Sequence, residues 1–137
     1  MSKLNMIIAT HGQFGEELVK SAEMIAGRLE NVHCLSLLPS VSFEAFMHQA
    51  DNLLSELTGP TIVLVDMFGG TPCNVLTVLS RKHHHHVVTG VNLPMLINLY
   101  SVAGISDDPD MEAIVNSCIE TVQSSVVYTN KQLEENA

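Results

Sequence analysis

A histidine works as a nucleophile near neutral pH when one ring nitrogen is free and the other donates to an acceptor that fixes the tautomer. Two residues of this chain have the types and positions for such a pair. His11 ends the apolar run Ile7-Ile8-Ala9-Thr10 and is followed by Gly12 and Gly15. Asp66 ends the β-branched run Thr61-Ile62-Val63-Leu64-Val65 and is followed by Met67-Phe68-Gly69-Gly70-Thr71-Pro72. The second loop also reads as an anion site. Its glycines let backbone approach closely, the helix it opens presents free N–H groups, and Thr71 adds a hydroxyl. Gly12 and Gly15 place a second helix start beside His11. No Lys or Arg adjoins either loop, so a phosphoryl group there would be held by amides and dipoles, which suits a group passed on quickly.

These residues matter only if the fold brings them together. Leu4 to Thr10 reads as a buried strand, and Gln13 to Ala26 as a helix with Phe14, Leu18, Ala22 and Ile25 inward and Gly27 as its stop. Val32 to Leu38 is a second strand. Ser40 and Ser42 offer caps for a helix whose stripe is Phe43, Phe46, Met47, Ala50, Leu53, Leu54 and Leu57. Thr61 to Val65 is a third strand. Thr71-Pro72 reads as an N-cap followed by proline, opening a helix to about Lys82 with Val75, Leu76 and Leu79 inward. His86 to Val91 is a fourth strand, and Asn92-Leu93-Pro94 opens a helix that ends near Gly104. Asp108-Pro109 repeats the cap-then-proline signal before a last helix with Met111, Ile114, Val115, Cys118, Ile119 and Val122. Ser125 to Tyr128 reads as a short final strand and Lys131 to Ala137 as a polar, frayed tail.

Strand and helix alternate four times. Short connections and right-handed crossovers then predict an α/β fold, a single doubly wound and mainly parallel sheet with helices on both faces. All strands end on one edge, where ligands bind in such sheets. The first strand of a doubly wound sheet is usually central, which predicts that His11 and Asp66 are neighbours.

Composition narrows the function. The chain has 137 residues, 46% apolar and only 15% charged, which predicts one globular domain and leaves room for a subunit interface. A net charge of −9 with only six basic residues argues against nucleic acid. No apolar run has the length of a membrane span, and the N-terminus lacks the regions of a secretory signal. Cys34, Cys73 and Cys118 are widely spaced in apolar surroundings, as reduced core thiols of a cytoplasmic protein would be. Gly69-Gly70 completes neither a nucleotide-binding loop nor a dinucleotide fingerprint, and no serine elbow suggests a hydrolase.

Plainer readings compete. A lone histidine at a strand end usually fills space, and an aspartate there is often a loop or cap residue. The two on one edge, with a Gly-Gly-Thr-Pro turn, bring the functional reading level with the structural one. The run His83-His84-His85-His86 has the residues for zinc or nickel. Yet it lies between a helix end and a strand start, without a cysteine or acidic residue next to it in sequence, so adventitious affinity is the better reading and no metal site is assigned. His33 and His48 read as structural. Most of the seven methionines fall at core-like positions. Met67 and Phe68 do not, and are candidates to pack a partner protein.

At these residues the sequence resembles the enzyme IIA component of the mannose-type bacterial phosphoenolpyruvate-dependent sugar phosphotransferase system. The likeness spans about residues 3 to 128. It is carried by Ile7-Ile8-Ala9-Thr10-His11-Gly12 with the following helix, by Val65 to Asn74, and by Thr89-Gly90-Val91-Asn92-Leu93-Pro94-Met95-Leu96. The resemblance implies that residues 1–130 are a phosphocarrier domain followed by the tail 131–137. It implies that His11 is phosphorylated on Nε2, that Asp66 bonds the opposite nitrogen, and that Gly12, Gly69, Gly70 and Thr71 receive the phosphoryl group. The donor would be HPr and the acceptor an enzyme IIB on a separate chain, serving a membrane permease indirectly. Phe14, Met67, Phe68 and Pro94 would meet these partners. A cytoplasmic homodimer without cofactor is expected, with Val126 to Tyr128 as the strand packed or exchanged between subunits. Two alternatives remain: a similar carrier serving a dihydroxyacetone kinase, and a metal-binding or regulatory module built on His83 to His86.

Overall fold

A computed structural model of the chain describes residues 4–103 and 110–136. Within them the order is β1 (Asn5–His11), α1 (Phe14–Ala26), β2 (Val32–Leu37), α2 (Phe43–Glu56), β3 (Thr61–Val65), α3 (Thr71–His83), β4 (His86–Val88), α4 (Leu93–Ala103), α5 (Met111–Ser125) and α6 (Thr129–Glu135). The helix end expected at Gly104 and the signal at Asp108-Pro109 lie outside the described residues.

The four strands form one sheet in the order β2-β1-β3-β4, with every pairing parallel. β1 is central, as expected. Ala9 is opposite Val65 across the ladder, so the residues that leave these two strands, His11 and Asp66, emerge side by side. Alternate residues of β1 feed opposite cores. Met6 and Ile8 pack with Leu18, Ala22, Met95, Leu96, Leu99 and Cys118 under α1, α4 and α5. Ile7 and Ala9 pack with Phe46, Ala50, Leu54, Val75, Leu76 and Leu79 under α2 and α3. Burial on both faces is why β1 and β3 read as unbroken apolar runs. Each large side chain removed from water contributes about 1.5–3 kcal/mol, so the strands that carry the site rest on the most strongly buried part of the molecule.

Several local expectations change. The helix after Asp66 takes Gly70, not Thr71, as its N-cap; Thr71 is already helical and makes no capping bond. α2 is capped by the Ser42 hydroxyl, which accepts from the Ala45 N–H at 3.1 Å. β4 stops at Val88 because Gly90 turns the chain at φ +79°, although the Val91 N–H still reaches the Val65 carbonyl at 3.1 Å. Phe14 and Ile25, expected inward on α1, are exposed, while Gly15, Leu18 and Ala22 are buried. Gly15 is buried because α1 presses on β1, and a Cβ there would meet Ile8 Cγ2 at 2.9 Å. On α5 only Cys118 is buried; that helix packs on the edge of a core already covered by α4. Of the methionines, Met6 and Met95 are buried, but Met24 and Met67 are exposed.

Within the single chain the expected C-terminal strand is not paired, and its packing between subunits is outside what one chain shows. Val126 and Tyr128 have extended backbone (ψ 109° and 94°), but no described strand lies beside them to complete a ladder. The expected frayed tail is instead mostly α6. Its sequence Thr-Asn-Lys-Gln-Leu-Glu-Glu is rich in good helix formers, and Lys131 pairs with Glu134 at 3.6 Å. None of its residues is buried.

Candidate functional site

The site is built on the ends of β1 and β3. His11 is the last residue of β1, and its side chain is 48% exposed. Its Nδ1 lies 2.7 Å from Asp66 Oδ2, and its backbone N–H donates to the same oxygen at 2.8 Å. The Met67 N–H donates to Asp66 Oδ1 at 2.9 Å. Burial by itself raises the Asp66 carboxyl, but the His11 N–H, the His11 ring and the Met67 N–H outweigh it and hold the group below its ordinary value of 3.8. Asp66 is therefore a carboxylate near neutral pH and can only accept. The proton between the two side chains sits on His11 Nδ1, and the neutral ring keeps its lone pair on Nε2.

Gly70 closes the other side of the ring. A Cβ at that position would lie 2.7 Å from His11 Cε1 and 3.5 Å from Nε2. The turn that brings it there needs Gly69 at φ +85°, where side chains are strained. The Asn74 amide donates to the Gly69 carbonyl at 3.2 Å and clamps the same turn from the first turn of α3. α3 has no side-chain cap, so its first amides point out of the helix without one. Pro72 supplies no amide, and Thr71 lines a cleft of about 480 Å³ together with His11, Gly12, Leu37, Leu38, Pro39, Val41 and Phe43.

Gly12 has φ +58°, and its N–H already donates to the Leu37 carbonyl at 2.9 Å. That bond ties β1 to β2 and engages the Gly12 amide, while the residue itself lines the cleft beside His11 and Thr71. Phe14, Met67, Phe68 and Pro94 are all exposed at the starts of helices or in loops on this edge; Phe68, at 84%, is more open than Phe14 or Met67. Sequence reading missed the apolar cleft wall from Leu37 to Phe43 and the clamp by Asn74. The wall follows from β2 lying beside β1, which only the strand order reveals.

The histidine run is dispersed. His83 Nε2 lies 2.7 Å from Asp51 Oδ1, which Lys82 also contacts at 3.1 Å. An acidic partner thus exists, but it comes from α2 and was hidden from sequence. His84 is the left-handed residue that ends α3. His85 is buried, with Nε2 2.7 Å from the Leu76 carbonyl. His86 starts β4 and is exposed. Among the described residues no group of three or more His, Cys, Asp or Glu side chains converges.

The fold and site together define an α/β protein with a histidine–aspartate pair on the strand-end edge of a parallel sheet, facing a helix N-terminus. A family model described as the PTS system fructose IIA component matches residues 5–119, and the chain belongs to this family of sugar phosphotransferase system IIA components. It is 34% identical over 124 residues to the mannose-specific EIIAB component of Escherichia coli K12, a match that covers 88% of this chain and 38% of that protein. The chain therefore spans well under half the length of that relative. It is also similar to the solved mannose/sorbose-specific IIA subunit from Enterococcus faecalis (29% identity, TM-score 0.81, covering 91% of this chain and 93% of that one). A IIA protein associated with the fucose utilization operon of Streptococcus pneumoniae is 30% identical, with TM-score 0.79 and coverage of 96% and 97%.

Proposed function

We propose that His11 accepts a phosphoryl group from the phosphohistidine of HPr and passes it to an enzyme IIB during sugar uptake. The observation that carries this is the 2.7 Å contact from His11 Nδ1 to Asp66, which leaves Nε2 as the nucleophile. In the forward step the Nε2 lone pair attacks phosphorus. The bond from phosphorus to the donor ring nitrogen breaks, and its electron pair returns to the donor. The Nδ1 proton stays in place, and Asp66 balances the positive charge that develops on the His11 ring. The phosphoryl oxygens lie toward Gly69, Gly70 and Thr71, held by first-turn amides of α3, its dipole and the Thr71 hydroxyl. Transfer to IIB reverses the step, with a nucleophile of IIB attacking phosphorus and the pair returning to Nε2.

Phe14, Met67, Phe68 and Pro94 form the apolar surround on which HPr and IIB would seat. Residues 1–130 serve as the phosphocarrier domain, with 131–137 beyond it, in a cytoplasmic homodimer. Among the described residues no helix is long and apolar enough to cross a membrane. The permease would be reached through IIB. The matched relatives are named as mannose-specific and sorbose-specific PTS components, which favours this relay over service to a dihydroxyacetone kinase. Their names carry different sugars, and the choice of sugar belongs to the permease.

Incubation with phosphoenolpyruvate, enzyme I and HPr tests the reading by intact-protein mass. Wild type gains one acid-labile phosphoryl group and His11→Ala gains none. Uptake by His11→Ala, or no uptake by wild type, overturns it.

A further inference from the structure

We propose that Gly70 is a positioning residue for His11, required because it has no side chain. Only the kinetic arm of this proposal rests on the phosphocarrier reading. The backbone of Gly70 makes no demand for glycine. At φ −76°, ψ 167° it is ordinary extended chain that any residue adopts, unlike Gly69 at φ +85°. It is also an N-cap, where Ser, Thr, Asp and Asn are favoured. Ser42 and Asp110 cap α2 and α5 in that way, and α3 goes without.

α1 and α6 also lack a side-chain cap, but at α3 the reason is space. A Cβ on Gly70 would stand 2.7 Å from His11 Cε1, 3.5 Å from Nε2 and 3.3 Å from Met67 Cγ. The first of these is closer than real contacts allow, so something must move. Cε1 lies between the two ring nitrogens, so the clash bears on the edge of the ring that does the chemistry. The ring cannot yield while keeping its bonds. Nδ1 is held at 2.7 Å by Asp66 Oδ2, that oxygen is held by the His11 N–H at 2.8 Å, and the other carboxylate oxygen is held by the Met67 N–H at 2.9 Å. The side chain is about half exposed, so the ring has solvent space to yield into, at the expense of the bonds that hold it. A methyl group at position 70 thus releases the Nδ1 proton from Asp66 and turns Nε2 off the α3 amides. A capping side chain would in addition occupy one of those amides.

The test compares wild type, Gly70→Ala and Gly70→Ser by ¹⁵N NMR of the His11 imidazole at about pH 8, where an ordinary ring is neutral, with His11→Gln to assign the signal. Thermal melting and the phosphoryl-uptake rate are measured on the same samples. Wild type shows the single tautomer protonated on Nδ1. Both variants show a mixture of tautomers and, because a displacement of about 1 Å can cost about a hundredfold in rate, slower uptake by about that factor. Gly70→Ser melts no lower than wild type, since its hydroxyl can cap α3, which separates lost positioning from lost folding. A wild-type His11 signature in the variants overturns the proposal whatever the rates. A wild type that takes up no phosphoryl group, with the signature still lost in the variants, keeps the positioning role and removes the phosphocarrier reading.

Discussion

Asp66 Oδ2 accepts from both the backbone N–H and the ring of His11, at 2.8 and 2.7 Å. One carboxylate therefore sets where β1 ends and which ring nitrogen carries the proton. The identities of these two residues were legible in the sequence because each directly follows an apolar run. Their pairing was legible only through the expectation that β1 is central. The double use of Oδ2 was not, because a backbone donor leaves no mark on residue type. Replacing Asp66 by Asn keeps the shape and removes the charge, and its amide can donate where the carboxylate only accepts. Phosphoryl uptake by Asp66→Asn is expected to fall by about two orders of magnitude or more, measured as an initial rate, with a smaller accompanying drop in melting temperature from the lost carboxylate bonds. The carboxyl is held below 3.8 in the folded protein. Its contribution to stability is thus fully present above that value and lost only as pH falls through the lowered one; uptake should not track Asp66 titration near neutral pH.

The elements that carry the site follow from their sequences more closely than those at the chain end. β3 spans Thr61–Val65, the extent its β-branched run predicts, because burial on both faces leaves no polar position to blur its limits. β4 and the C-terminal segment depart from expectation for opposite reasons. Gly90 ends β4 early, whereas Val126 to Tyr128 has strand-like residues and extended backbone but no neighbouring strand. The junction of α3 and β4 shows what sequence hides. His85 is buried, and its Nδ1 has no hydrogen-bond partner among the described residues. Burial, with His83 and His86 nearby, pushes its ring below the ordinary 6.5, against the opposing bond to the Leu76 carbonyl. The unfolded chain therefore binds a proton that the folded chain resists. Stability from this group is present above 6.5 and is lost as pH falls below it toward the lowered value. Between about pH 7 and about pH 5 the melting temperature of wild type is expected to fall more steeply than that of His85→Leu. Equal slopes would assign the acid sensitivity elsewhere, since the lowered carboxyls of Asp51 and Asp66 titrate below 3.8.

At the scale of the molecule, four helices begin on the edge where β1 and β3 end, and their first residues include Phe14, Phe43, Thr71 and Leu93. Alternation of strand and helix made that edge readable in advance. The shape of the edge was not, because the cleft of about 480 Å³ joins residues from β1, β2 and the starts of α2 and α3. Exposed aromatic and thioether side chains beside the proposed transfer site fit a protein that meets other proteins. Phe14→Ala and Phe68→Ala are expected to raise the KM for phospho-HPr by about tenfold while the rate at saturation changes little, with Tm preserved because both rings are exposed. A change confined to the saturating rate would place these rings in the chemistry instead of docking.

The most direct test of the account is which nitrogen of which histidine carries phosphorus. Two-dimensional ¹H–¹⁵N NMR of the phosphorylated protein, with ³¹P coupling, distinguishes the two ring positions. A single phosphohistidine is expected, His11 substituted on Nε2 with a proton retained on Nδ1 against Asp66. Phosphorus on Nδ1, or on a histidine of the His83 to His86 run, would contradict it.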